Sequence, residues 1–98
     1  MIVRVFRVVV HDGKEADFRS FFLETALPLV RSQSGLVSVT AGLPRPESPQ
    51  EFCMVMVWRD IASLQVFAGE DWREPHIHPD EAAMVRERSL HHYELAAA

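Results

Sequence analysis

From Phe52 to Trp58 the chain reads Phe-Cys-Met-Val-Met-Val-Trp, without one polar side chain. A run of this length, bounded by Glu51 and by Arg59-Asp60, predicts a strand. Successive strand residues point to opposite faces. Phe52, Met54, Met56 and Trp58 therefore share one face, and Cys53, Val55 and Val57 the other. An antiparallel sheet with one wet face alternates apolar and polar residues, and this stretch does not. Both of its faces need cover. The opening stretch Ile2 to Val10 repeats the demand: Val3, Val5 and Val9 lie opposite Ile2, Phe6, Val8 and Val10, and only Arg4 and Arg7 break the run.

At 98 residues the chain is long enough for one domain. His11-Asp12-Gly13 signals a turn, and Asp12 with Glu15 predicts a capping box at the head of a first helix. That helix is expected to run to about Ser32, with Phe18, Phe21, Phe22, Leu29 and Val30 as its apolar stripe. Pro28 lacks the N–H that would bond Glu24, so a kink or a fresh turn is expected there. Ser34-Gly35 ends the helix. Leu36 to Leu43 reads as the second strand, with Val37, Val39 and Ala41 on one face and Ser38 and Thr40 on the other. Pro44, Pro46 and Pro49 stiffen the loop before the third strand, Glu51 to Trp58. Asp60 then caps a second helix whose apolar face is Ile61, Leu64, Phe67 and Ala68, and Gly69 closes it. Asp71 to Glu81 is an irregular connection, and Arg86 to Leu95 is the last strand. Residues 1–95 form the domain and 96–98 a short tail.

The order β-α-β-β-α-β is the split-βαβ, or ferredoxin-like, arrangement: an α+β fold with a four-stranded antiparallel sheet and both helices on one face. Two short helices cover only that face. An exposed apolar sheet face marks a partner or ligand site. Its simplest cover is a second copy of the same sheet about a two-fold axis, so a homodimer through the sheet face, a dimeric α/β barrel, is expected. The formal net charge is −4, and the basic residues, all Arg but Lys14, are scattered. A nucleic-acid surface would gather them. No apolar run approaches the length needed to cross a bilayer. Met1 leads straight into a strand, without the pattern of a secretory leader. Cys53 is the single cysteine and forms no internal disulfide, so the cytoplasm is the expected compartment.

Several segments together resemble the antibiotic biosynthesis monooxygenase domain family of dimeric α/β barrels. They are Gly13-Lys14-Glu15-Ala16-Asp17-Phe18, Ala26-Leu27-Pro28-Leu29-Val30-Arg31 followed by Gly35-Leu36, and Val57-Trp58-Arg59-Asp60 with Leu64 and Phe67. Phe67-Ala68-Gly69-Glu70-Asp71-Trp72 and His92-Tyr93-Glu94 complete the pattern, in order along nearly the whole chain. The resemblance implies cofactor-independent oxygenation of aromatic substrates, as in some members, or haem binding and degradation, as in others. The haem-degrading branch looks for an Asn on strand one and a Trp on helix two. Here strand one has no Asn, and Phe67 stands where that Trp would. Only the histidine that the branch carries after helix two has candidates, His76 and His78. The expectation is therefore that no cofactor is used, with haem kept as an alternative ligand.

His76 and His78 flank Ile77 between Pro75 and Pro79. A spacing of two puts both rings on one side of an extended segment, where imidazoles act as acid or base near neutral pH. The pair alone falls short of the three or four ligands of a zinc site. On strand four His91 and Tyr93 share a face and His92 takes the other. His76, His78 and His92 are thus the catalytic candidates. Trp72, Tyr93, Phe22, Phe67 and Met54 are candidates for holding an apolar aromatic ligand, with Arg7 as a charge; for the Phe and Met side chains, plain core packing is the alternative. Arg4 and Arg7 point to opposite faces, so at least one is enclosed and needs a partner such as Glu94 or a ligand acid. Trp58 reads as core and Cys53 as an inert thiol. The chain has no phosphate loop, nucleophile elbow or flavin or nicotinamide fingerprint. An oxidation here would be cofactor-free: a carbanion-forming aromatic substrate gives an electron to O₂ in a dry apolar pocket with one base.

Overall fold

The computed structural model describes residues 1–75 and 77–96. Its elements are β1 (Ile2–Val10), α1 (Glu15–Phe21), a π turn (Phe22–Ala26), α2 (Leu27–Arg31), β2 (Leu36–Gly42), β3 (Glu51–Trp58), α3 (Ile61–Ala68) and β4 (Val85–Glu94). The strands form one antiparallel sheet in the order β2-β3-β1-β4. This is the ferredoxin-like α+β arrangement that the element order predicts. β1 and β3 have the expected ends, while β4 begins and ends one residue earlier than expected.

Ile2, Arg4, Phe6 and Val8 pair with Trp58, Met56, Met54 and Phe52 and share their face. α1, α2 and α3 pack there. Phe18 meets Phe52 at a tilt, 4.7 Å between ring centres, and stacks on Phe22 at 5.8 Å, and Leu64 of α3 is fully buried in the same core as Trp58. Asp60 caps α3 as expected, its carboxylate accepting from the Ser63 N–H at 2.8 Å, and Gly69 ends it at φ +82°. At the first helix the expected capping box is absent. Lys14 occupies the cap position without a side-chain bond, and Glu15 instead accepts from the Gly13 N–H and from Gln50. Gly13 turns the chain at φ +87°, which carries Asp12 out of register with the helix it was expected to cap.

The expected break at Pro28 takes the form of the π turn. The Leu27 N–H donates to the Phe22 carbonyl, five residues back rather than four. The wide turn lets the helix admit a residue with no N–H and a ring that would crowd a tighter turn. It also shifts the buried stripe. Leu27 and Val30 are buried and Leu29 is 48% exposed, whereas an unbroken 3.6-residue period had placed Leu29 inside. β2 has a register shift between Leu36 and Ser38, so Val37 leaves the face of Val39 and Ala41 and is exposed. An extra residue in one strand reverses the alternation before it.

The other face of the sheet has no helix. Val3 pairs with Val57 and Val5 with Val55 at its centre, with Tyr93 and His91 beside them on β4. The four valines are half-buried and Tyr93 is 57% exposed. Arg7 lies on this face in an ion pair with Glu51 at 2.8 Å. No helix among the described residues is long and apolar enough to cross a membrane.

Candidate ligand pocket

A cavity of about 100 Å³ lies between the sheet and the first helix. Phe6, Met54 and Met56 form its floor, Phe18, Phe21, Phe22 and Ala26 one wall, and Phe67 of α3 another. Leu29 and Val30 stand on its α2 side. Among the described residues its polar lining is Arg4 on β1 and His78 and Glu81 on the connection between α3 and β4. The π turn shapes this space directly, since Phe22 and Ala26 open and close it. Wide turns of this kind recur at functional sites.

Arg4 is 3% exposed in the middle of the floor. Its Nη1 donates to the Trp72 carbonyl at 2.6 Å and meets His92 Nε2 at 3.0 Å, while its Nε is buried without a hydrogen-bond partner. Burial pushes the guanidinium down to about 10, which leaves it charged at neutral pH. An arginine has only donors, so His92 Nε2 must be the acceptor and its proton must sit on Nδ1. Burial, and then the charges of Arg4 and Arg73, hold His92 below the usual histidine range. The Trp72 ring meets His92 edge-on at 4.9 Å, and the Arg73 guanidinium lies 4.3 Å over that ring. Trp72 thereby pins the connection to the sheet.

His78 packs against Phe21 with ring centroids 5.2 Å apart. Its Nδ1 accepts from the Asp80 N–H at 3.1 Å, so the neutral ring carries its proton on Nε2 and offers a donor. Glu81 is 4% exposed and accepts from the His78 N–H at 3.3 Å. Sequence reasoning passed over Glu81, because an irregular segment has no period that would mark it as enclosed.

The sequence-derived candidates thus fall into separate places. His78, Phe22, Phe67 and Met54 border the cavity. Trp72 and His92 lie behind it, against Arg4. Arg7 and Tyr93 sit on the opposite face of the sheet, and His76 lies outside the described residues. The Arg that the alternation places inside is Arg4, and its bonds run to Trp72 and His92; Glu94 is exposed at the end of β4. Cys53 is on the open face, and burial first, then Glu51, pushes its thiol pKa up, which disfavours the nucleophilic thiolate. Among the described residues no group of three or more His, Cys, Asp and Glu is placed to hold a metal.

A family model for antibiotic biosynthesis monooxygenase matches residues 1–74. The chain belongs to that family. Solved structures share the monooxygenase family's fold at low identity. Protein SO0527 from Shewanella oneidensis matches with a TM-score of 0.78 and 21% identity, over 94% of this chain and 87% of that one. PA3566 from Pseudomonas aeruginosa gives 0.73 and 18%, over 97% and 94%. SnoaB, a cofactor-independent oxygenase from Streptomyces nogalater, gives 0.72 and 22%, over 99% and 94%. No curated protein matches the sequence. The stretch matched by the monooxygenase model contains Arg4 and the phenylalanine walls but ends before His78, Glu81 and His92.

Proposed function

We propose that this chain is a cofactor-independent monooxygenase that oxidises a small aromatic or quinol-type substrate with O₂ in the pocket between sheet and helices. The observation that carries the reading is the lining: phenylalanine and methionine walls, with a buried carboxylate and an imidazole donor on one side. Family membership and the likeness to a cofactor-independent oxygenase support it. The chemistry needs little else. Glu81 takes a proton from an acidic C–H, and the carbanion gives an electron to O₂. The two radicals join as a peroxide that the His78 Nε2–H can bond. Loss of water leaves a carbonyl, so a CH₂ carbon loses two hydrogens and gains one oxygen while the other oxygen departs as water. A dry site favours this by keeping the carbanion from solvent protons. His92, Trp72 and Tyr93 have no part in this scheme.

A second reading is favoured by the cavity's size. About 100 Å³ is below the ~300 Å³ at the low end of ligand pockets, which suits a module without chemistry: a structural dimer whose core is filled by side chains, or else a binder of a small aromatic compound. Phe67, where the haem-degrading branch carries Trp, is stacked on Trp58 at 5.1 Å, which favours an aromatic compound over haem as the ligand. In either reading the chain works as a homodimer, the open valine face of one sheet covered by that of a second copy.

Oxygen uptake with a panel of anthrones and hydroquinones decides between the two. Turnover is expected, with His78→Ala and Glu81→Gln each slower by about 10²-fold. Saturable binding without uptake would leave the binding module, and neither uptake nor binding would leave the structural dimer. Turnover indifferent to both substitutions would move the chemistry out of this pocket.

A further inference from the structure

Arg4 is a charge on a central strand, surrounded by Ile2, Phe6 and Met56. Burying a cation is expensive unless it is paired or fully hydrogen-bonded. Here the hydrogen bonds run to neutral groups, the Trp72 carbonyl and the imidazole of His92, and the Nε–H has none. His92 cannot relieve the charge. It is held neutral by burial and by Arg4 itself. If Arg4 only needed to fill space, Met or Leu would do so on this floor without the cost. The arginine also borders the cavity, so a ligand can reach it.

We propose that Arg4 is the receptor for an anionic oxygen, and that the pocket takes an aromatic molecule ionised at one ring substituent. The inference rests on reading the pocket as a substrate site. A guanidinium makes its strongest hydrogen bonds to anionic oxygen, and the aromatic body of the ligand meets the phenylalanine walls. The ligand is thereby oriented. Its charged end faces β1, and the end nearer the α3–β4 connection carries no charge, because Glu81 stands there. Arg4 is in these terms a binding and specificity residue. It discriminates against neutral ligands of the same shape, which would leave the buried cation unmatched.

Two matched pairs test this by calorimetric titration in the absence of turnover: 4-nitrophenol at a pH where it is ionised against 4-nitroanisole, and benzoate against methyl benzoate. The wild-type chain should prefer the ionised member of at least one pair by about tenfold or more. Preference in the first pair alone identifies a phenolic or enolic ligand, and in the second alone a carboxylate. Arg4→Met should lose the preference while still binding the neutral members. Independently of any variant, the yellow colour of bound 4-nitrophenol should appear at lower pH than that of the free compound, so a poorly folded variant does not stop the test. Equal affinity within both pairs, an unshifted colour change without a preference in the second pair, or a preference that survives Arg4→Met overturns the proposal. If none of the four compounds binds, the pocket is no ligand site and the oxygenase reading falls as well. If the preference is found and no substrate consumes oxygen, only the oxygenase reading falls.

Discussion

Burial first, and then the charge of Arg4, hold His92 back from protonation, and the stability of the fold inherits the result. His92 titrates below its usual 6.5 in the folded chain. As pH falls through about 6.5, the unfolded chain takes up a proton there that the folded chain refuses. Stability therefore falls with pH until the folded pKa is reached, and is level above 6.5. The carboxylates with lowered pKa, Glu15, Glu47, Glu51 and Asp60, act further down, below their ordinary 4.5 or 3.8. Urea midpoints should thus be lower at about pH 5 than at about pH 7.5 for the wild type, and His92→Asn should flatten the difference. A wild-type midpoint that does not move over this range would show that His92 is free to ionise. At this scale the sequence was half legible. Strand alternation separates Arg4 from Arg7 and His92 from His91, because that parity belongs to the backbone. Which parity faces the helices depends on how neighbouring strands pair, and no single segment encodes that. Glu81 shows the other limit, being buried by an irregular stretch that carries no repeat.

Among the elements, the contact of β2 with α3 depends on a missing side chain. Gly35 is buried, its carbonyl accepts from the Arg59 N–H, and a β-carbon added to it would overlap Cβ of Ser63 and stand 3.3 Å from that residue's Cα. The neighbour is backbone as well as side chain, so it cannot simply swing away. Gly35→Ala should destabilise the chain by about 1–3 kcal/mol in urea denaturation, with Ser63→Gly in the same chain restoring part of the loss. A neutral Gly35→Ala would mean that β2 and α3 part without resistance. The first helix shows why element boundaries were easier to read than element faces. The end of the helix and the trouble at Pro28 are marked by particular residues, although Asp12 misplaced its start. The bond that skips to five residues at Phe22–Leu27 has no such mark, yet it decides that Leu27 rather than Leu29 is packed away. Counting α-helical turns from Phe18 and Phe22 therefore gave a stripe that is right in α1 and at Val30 but takes Leu29 for Leu27.

For the whole molecule, the deciding quantity is how many chains make the folded particle. Val3, Val5, Val55 and Val57 leave one side of the sheet apolar, and the proposed homodimer covers it. Sedimentation should give twice the 11.2 kDa of one chain, and Val55→Lys, at the centre of that face, should return it to a single chain or to aggregates. A well-folded wild type that sediments as one chain would leave the valines without a second sheet. The topology was the most legible level of all, since the alternation of strand and helix signals along the chain left one common arrangement. The borders of the sheet carry a further consequence. β4 carries Arg86, Glu87 and Arg88 just after its first residue and closes on Glu94, and β2 is short and interrupted at Val37. Charged or irregular rims resist the lateral addition of foreign strands. Assembly by way of the valines therefore has nowhere to propagate: once two molecules have met, neither rim invites a third, and the same greasy surface that demands company does not grow into a filament.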